Sequence, residues 1–304
     1  MLHGLPALMM DYQLTLTPIM KRAKTLYPNK EIITRFGDNY HHYTYADFYA
    51  GCGKLANALT KLGINAGDRI GTFAWNSYRH HELYFAVPCM GAVVHTLNLR
   101  LPADQLTYII NHAEDRVIFV DDSLIKLLEP LAEHLTTVEH YVVMCSGDTM
   151  PETTLPNAIS YADLTAECSS DYDWQEIDEN SAAAMCYTSG TTGQPKGAEL
   201  SHTNMQTNAM ASQYLMRLEY SDTTMATLPL FHSFGQTVMM NASVLTGSTM
   251  VLIPRFEPSL VIDQIISHKV SVFAGVPTMY IALLKAGEES SDTSEQTSKR
   301  SEQV

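Results

Sequence analysis

Residues Tyr187 to Gly197 read Tyr-Thr-Ser-Gly-Thr-Thr-Gly-Gln-Pro-Lys-Gly, with three glycines, four Ser or Thr hydroxyls and one lysine in eleven positions. A glycine-rich backbone can turn its N–H groups toward one point, and hydroxyls and an ammonium add donors there. A polyphosphate needs that arrangement. A Gly/Thr cluster alone reads as an ordinary polar loop. The ordered string is harder to dismiss: with about nine constrained positions, chance gives on the order of one in 10^10 per site. It is not a Walker A loop, because Pro195 precedes Lys196 and Gly197 follows it where that motif needs Ser or Thr. Nor does it carry the glycine pattern of a dinucleotide fold.

Outward from this string, strand-like and helix-like segments alternate. Thr44 and Asp47 form a capping-box pattern ahead of Phe48, Cys52, Leu55, Leu59 and Leu62 at helical spacing, and Gly63 is a natural stop. Arg69 to Trp75 reads as a strand, and a helix is expected near Ser77. Val93-Val94 is a short strand, and Pro102 opens a helix through Ala113. Val117 to Val120 is a buried-strand run, Leu124 to His134 is helical and Val138 to Met144 is a strand. Cys145 to Ser160 is turn-rich, and Glu167 to Asn180 carries six acids and no base, the pattern of a solvated linker. Ala182 to Tyr187 runs into the Gly-rich loop. Ser201 caps a helix through Met216, Thr224 to Leu228 and Met250 to Ile253 are strands, and Pro258 opens a helix toward His268. Val270 to Ala274 leads into Gly275-Val276-Pro277. The alternation predicts an α/β fold of parallel sheets sandwiched by helices. From Glu288 to Val304 the only apolar residue is Val304. The expected boundaries are therefore one α/β domain over 1–287 and a polar, disordered tail over 288–304.

The net charge of −14 across 304 residues argues against a nucleic-acid binder. It also disfavours simple electrostatic attachment to an anionic membrane, while leaving other peripheral contact open. No apolar run is long enough for a transmembrane helix. Cys52, Cys89, Cys145, Cys168 and Cys186 are scattered and odd in number, which predicts free thiols in a reducing compartment such as the cytoplasm. His41-His42 and His80-His81 are adjacent pairs whose members point apart, so they predict structural or surface histidines rather than metal ligands.

The string from Tyr187 through His202 resembles the phosphate-binding signature of the adenylate-forming superfamily. Leu228-Pro229-Leu230-Phe231-His232, Gly275-Val276-Pro277-Thr278, Ala86-Val87-Pro88 with Gly91-Ala92-Val93, and Leu97 to Leu101 resemble its acyl-CoA synthetase branch. The resemblance implies the large N-terminal domain of such an enzyme, in part, and two-step chemistry. A carboxylate attacks the α-phosphate of ATP, giving an acyl-adenylate and pyrophosphate, and the thiol of coenzyme A then displaces AMP. It implies that Thr188, Ser189, Gly190, Thr191, Thr192 and Gly193 cradle the β- and γ-phosphates. Lys196 then faces the departing pyrophosphate, and Mg²⁺ bridges the phosphates.

The same resemblance makes His232 a substrate-facing residue. Amino-acid-activating relatives place an Asp in this region, whereas His232, Ser233 and Phe234 offer an ammonium no carboxylate, so a medium- or long-chain fatty acid is the implied substrate. The apolar stretch from Val238 to Leu245 has two readings: the lining of an acyl tunnel, or an ordinary core helix with methionine at helical spacing. The family's metal-serving Glu, its ribose-binding Asp and the small C-terminal domain with a catalytic Lys are absent from this sequence. A noncatalytic remnant that binds nucleotide or acyl groups weakly, and an aryl- or short-chain-acid ligase, are the alternatives.

Overall fold

The computed structural model describes residues 12–145, 147, 149–188 and 194–288. The strands are β1 (Glu31–Phe36), β2 (Asn39–Thr44), β3 (Arg69–Phe73), β4 (Val93–Thr96), β5 (Asp115–Asp121), β6 (His140–Met144), β7 (Ala158–Ser160), β8 (Ala182–Thr188), β9 (Lys196–Ser201), β10 (Thr223–Ala226), β11 (Thr249–Leu252) and β12 (Val272–Phe273). The helices are α1 (Leu16–Leu26), α2 (Tyr45–Lys61), α3 (Tyr78–Cys89), α4 (Ala103–Ala113), α5 (Ile125–Leu128), α6 (Tyr161–Ala166), α7 (His202–Met216), α8 (Ala242–Thr246) and α9 (Pro258–Ser267). A further helix covers 277–288.

Among the described residues the strands form two sheets, one ordered β7-β6-β5-β3-β4-β8-β9 and the other β12-β10-β11-β1-β2. Each is parallel except at one edge, where β9 runs antiparallel to β8 and β2 antiparallel to β1. Side chains alternate across each strand, and that period builds three cores. Val117, Phe119, Val142 and Met144 of the larger sheet point inward, as do Ile32, Met250 and Leu252 of the smaller one, and they share a core with α1, α2 and α3. Their neighbours Ile118, Val120, Tyr141 and Val143 point outward onto α4 and the 125–131 segment. Ile33, Met225 and Val251 point to the opposite outer face, onto Val261 of α9 and Leu283. The result is helix, sheet, helix, sheet, helix, and it explains why these strands are apolar on both faces.

Local signals set the boundaries. Thr44 and Asp47 close the predicted capping box, and α2 ends before Gly63, whose φ is +78°. Ser77 caps α3 and Ser201 caps α7, the latter in a box completed by Asn204. Three differences from the sequence reading are physical. Glu167–Asn180 is irregular but not simply solvated: Trp174 is buried against Tyr49 and Tyr172, and the Asn57 amide donates to the carbonyls of Ser169 and Asp171. The 124–134 segment breaks into 3₁₀ turns around α5, with Pro130 denying it a backbone donor. The Val238–Leu245 stretch lies in a π-helical segment, Phe234–Asn241, that runs on into α8. Met240 and Val244 are buried in the central core, which favours the core reading of that stretch.

Cys52, Cys89, Cys145 and Cys168 are buried free thiols and Cys186 is partly buried. His80 and His81 are buried structural histidines. His80 bonds the Trp75 carbonyl and the Thr72 hydroxyl, and His81 stacks on Phe48. Among the described residues no helix is long and apolar enough to cross a membrane. The tail expected over 288–304 falls, beyond Glu288, outside the described residues.

Candidate functional site

Of the predicted phosphate-binding residues, Ser189, Gly190, Thr191, Thr192 and Gly193 lie outside the described residues. Thr188 and Lys196 are described, and the fold brings them together. They are the last register pair of the antiparallel β8–β9 ladder and stand on either side of the loop mouth. Both are exposed. β8 runs parallel to β4, so this mouth lies at the carboxyl end of the larger sheet, where open α/β sheets receive ligands.

The hairpin is braced on its other face. Tyr187 pairs with Gly197, and a Cβ at Gly197 would sit 3.1 Å from the Tyr187 ring, so glycine lets the ring lie over β9. The Tyr187 hydroxyl bonds His112 Nδ1 at 2.6 Å, tying the hairpin to the end of α4. Burial pushes the Tyr187 phenol up to about 12, with the Asp115 carboxylate adding to the shift. Behind Tyr187 lies His95, whose Nδ1 is 2.8 Å from Asp115 Oδ2, both side chains fully buried.

His232 occupies a separate turn at the carboxyl end of β10. The His232 N–H donates to the Pro229 carbonyl and the Gln236 N–H to the His232 carbonyl. His232 Nδ1 accepts from the Phe234 N–H at 3.3 Å, which leaves Nε2 as the ring's outward polar atom. A Cβ at Gly235 would collide with the Pro229 carbonyl, so only glycine lets the π-helical segment start this close to the turn. Among the described residues no hydrogen bond joins His232 to Thr188 or Lys196.

Cleft size and chemistry point to different places. A cleft of about 1150 Å³ runs under the β8–β9 hairpin past Arg69, Met185, Tyr187 and Gly197, but none of Thr188, Lys196 and His232 lines it. A smaller cleft of about 620 Å³ lies at the carboxyl ends, lined by Trp75, Asn76, Asp121, Ser123 and Arg255 among others, and none of Thr188, Lys196 and His232 lines it either. Topology favours the second. Its walls are connected: Arg255 lies 4.1 Å over the Trp75 ring, the Trp75 indole N–H donates to Ser123 Oγ, and Ser123 Oγ–H donates to Asp121 Oδ1 at 2.6 Å. Burial pushes the Asp121 carboxyl up to about 6 against the Ser123 bonds that lower it.

Mg²⁺ is the expected metal, yet no group of three or more His, Cys, Asp or Glu among the described residues could hold one. Mg²⁺ takes most of its ligands from phosphate oxygens and water and needs one or two protein oxygens at most, so it would come to this site on the triphosphate rather than in a protein cage. The sequence reading also missed Asn76 and the Trp75–Arg255 stack, whose partners lie far off along the chain, and Gly235, whose close contact with the Pro229 carbonyl six residues earlier leaves no periodic signal.

The sequence pattern of the AMP-binding enzymes matches residues 20–302. A long-chain-fatty-acid–CoA ligase of Thermus thermophilus is 36% identical over 286 residues, covering 93% of this chain and 51% of that protein. A 3-methylmercaptopropionyl-CoA ligase of Ruegeria lacuscaerulensis is 36% identical over 282 residues, covering 91% of this chain and 52% of its own. The structure of a long-chain-fatty-acid-CoA ligase from Archaeoglobus fulgidus superposes with a TM-score of 0.81 at 23% identity, covering 92% of this chain and 55% of the other, which establishes the fold. The chain thus spans about half the length of the curated relatives it matches. With the family pattern running through nearly all of it, the chain belongs to the AMP-binding enzyme family.

Proposed function

We propose that this chain forms the ATP-binding part of an AMP-forming acid–CoA ligase, with a medium- or long-chain fatty acid as substrate. The observation that carries the reading is the Thr188–Lys196 pair at the mouth of the Gly-rich loop, at the carboxyl end of the larger sheet. In the first step a carboxylate oxygen bonds to the α-phosphorus of ATP and the α–β phosphoanhydride bond breaks, releasing pyrophosphate. Charge grows on the β- and γ-phosphate oxygens, where the donors of 188–193 and the Lys196 ammonium would receive it. In the second step the thiol sulfur of coenzyme A bonds to the acyl carbon and AMP leaves. Mg²⁺ would neutralise phosphate charge when bound. The chain's own residues hold the phosphates and orient the acid.

The fatty-acid assignment rests on His232 with no neighbouring carboxylate for a substrate ammonium, and on the likeness to the Thermus ligase. A short-chain acid is the second reading, supported by equal identity to the Ruegeria ligase. In a version of the chain extended to the full length of its relatives, pyrophosphate release with acetate, 3-methylmercaptopropionate, octanoate, palmitate, benzoate and a set of amino acids separates them. Each buried methylene adds about 0.8 kcal/mol, so the specificity constant should climb with chain length until the site is full. Octanoate and palmitate should exceed acetate by a large factor. A preference for acetate or 3-methylmercaptopropionate would transfer the assignment to short acids, and a preference for amino acids would refute both.

A further inference from the structure

Asn76 follows β3 of the larger sheet, yet every hydrogen bond of its side chain goes to the smaller one. Its amide nitrogen donates to the Ala226 carbonyl at 3.2 Å and to the Leu228 carbonyl at 2.9 Å. Its amide oxygen accepts from the Leu230 N–H at 2.9 Å. Asn76 is only 2% exposed. Ala226 ends β10 and Leu228 to Leu230 form the turn that delivers His232, so one side chain holds both ends of the backbone entering that turn. The His232 N–H then closes back onto the Pro229 carbonyl, in the middle of the span Asn76 grips. Only a side-chain amide fits: a carboxylate would aim its charge at two carbonyls, and a shorter side chain would take from the Leu228 carbonyl and the Leu230 N–H the partner they have here, while the Ala226 carbonyl would keep the Ile253 N–H.

We propose that Asn76 is a positioning residue that fixes His232 by clamping the 226–230 backbone to the carboxyl end of the larger sheet. It acts through the turn and touches no reacting atom. The relevance to catalysis rests on the reading of His232 as substrate-facing, but the clamp is testable without any substrate. It also predicts that the carboxyl ends of the two sheets move as one unit at this point, since Asn76 links them through its own side chain.

The test compares Asn76→Ala with Asn57→Ala in the 304-residue chain. The Asn57 amide nitrogen shares its two N–H groups among three backbone carbonyls, those of Gly53, Ser169 and Asp171, far along the chain from the turn. Both variants lose a similar number of bonds, so only a positional effect separates them. Two readouts are taken by NMR on labelled protein: exchange of the Leu230 amide relative to the Val142 amide of β6, and the imidazole resonances of His232. Losing the clamp should speed Leu230 relative to Val142 by about tenfold, the worth of one buried hydrogen bond, and should shift the His232 ring. Asn57→Ala should do neither. If Asn76→Ala does not fold, Asn76→Ser, which keeps one polar atom, is measured in its place. Unchanged His232 resonances and an unchanged Leu230 to Val142 ratio in the folded variant would overturn the proposal, as would equal effects from Asn57→Ala. Failure of the fatty-acid assay leaves these readouts untouched, so the two claims fail separately.

Discussion

Glu82 of α3 is buried with its carboxyl against the Tyr161 hydroxyl, in space that exists only because residue 51 of α2 is glycine. Burial pushes this carboxyl up to about 8 from its ordinary 4.5, against a lowering by the Tyr161 bond. The folded protein therefore keeps Glu82 protonated at neutral pH, while the unfolded chain ionises it. Its contribution is fully present below about pH 4.5 and is lost as pH rises toward 8, at roughly 1.4 kcal/mol per pH unit. Glu82→Gln should remove that slope. On going from pH 5 to pH 7.5 the urea midpoint should rise more, or fall less, in the variant than in the parent, because the buried histidines act in the opposite direction and Glu82 no longer offsets them; identical changes would remove Glu82 from the account. His81 works in the opposite direction. Burial lowers it to about 3, so it stays neutral when folded and takes up a proton on unfolding below its ordinary 6.5. His80 and His202 are each lowered to about 4 for the same reason. Stability from these groups is present above pH 6.5 and lost as pH falls. His81→Phe should flatten the acid limb by about one proton, and an unchanged slope between pH 6 and 4 would count against it.

At the scale of elements, the legible features were the ones written locally. The capping box at Thr44, the caps at Ser77 and Ser201 and the apolar runs of β5 and β6 all depend on residues a few positions apart, and the structure has them. Removing the Thr44 side chain should cost about 1 kcal/mol, and a calorimetric or denaturant measurement on Thr44→Ala checks it. Two features were missed although their residues are close in sequence. The β1–β2 hairpin was not predicted, though Ile32, Ile33, Thr34 and Phe36 favour a strand and Gly37-Asp38 a turn; only its second strand, with two adjacent histidines, lacks a clear alternation, and what buries β1 is β11. The π-helical segment after His232 has no signature of its own. It arises where Gly235 approaches the Pro229 carbonyl, a contact no periodicity reports. Gly235→Ala should therefore destabilise the fold by a few kcal/mol, on the order of a typical overpacking penalty, because the colliding atoms are backbone. A loss below about 0.5 kcal/mol in a denaturant titration would mean the turn yields easily.

For the whole molecule, the alternation of strand and helix predicted layered parallel sheets, but not that there are two of them sharing one helical layer. That arrangement needs non-local order: β1, from the start of the chain, pairs with β11, more than two hundred residues on. The candidate site divides in the same way. The proposed phosphate half lies in one contiguous string, and the fold adds that Thr188 and Lys196 stand opposite each other. The proposed acyl half shows in the sequence only as His232, since the hydrogen bonds of Asn76 to that turn span about 150 residues of sequence. The account's central claim is that the loop between β8 and β9 takes the triphosphate. Titrating labelled protein with ATP and following backbone amides by NMR tests it most directly. The account predicts the largest shifts at Thr188, Lys196 and Gly197, with Lys196→Ala weakening binding and leaving the remaining spectrum in place. Shifts centred on Arg69 and Met185 in the larger cleft, or binding indifferent to Lys196→Ala, would contradict it.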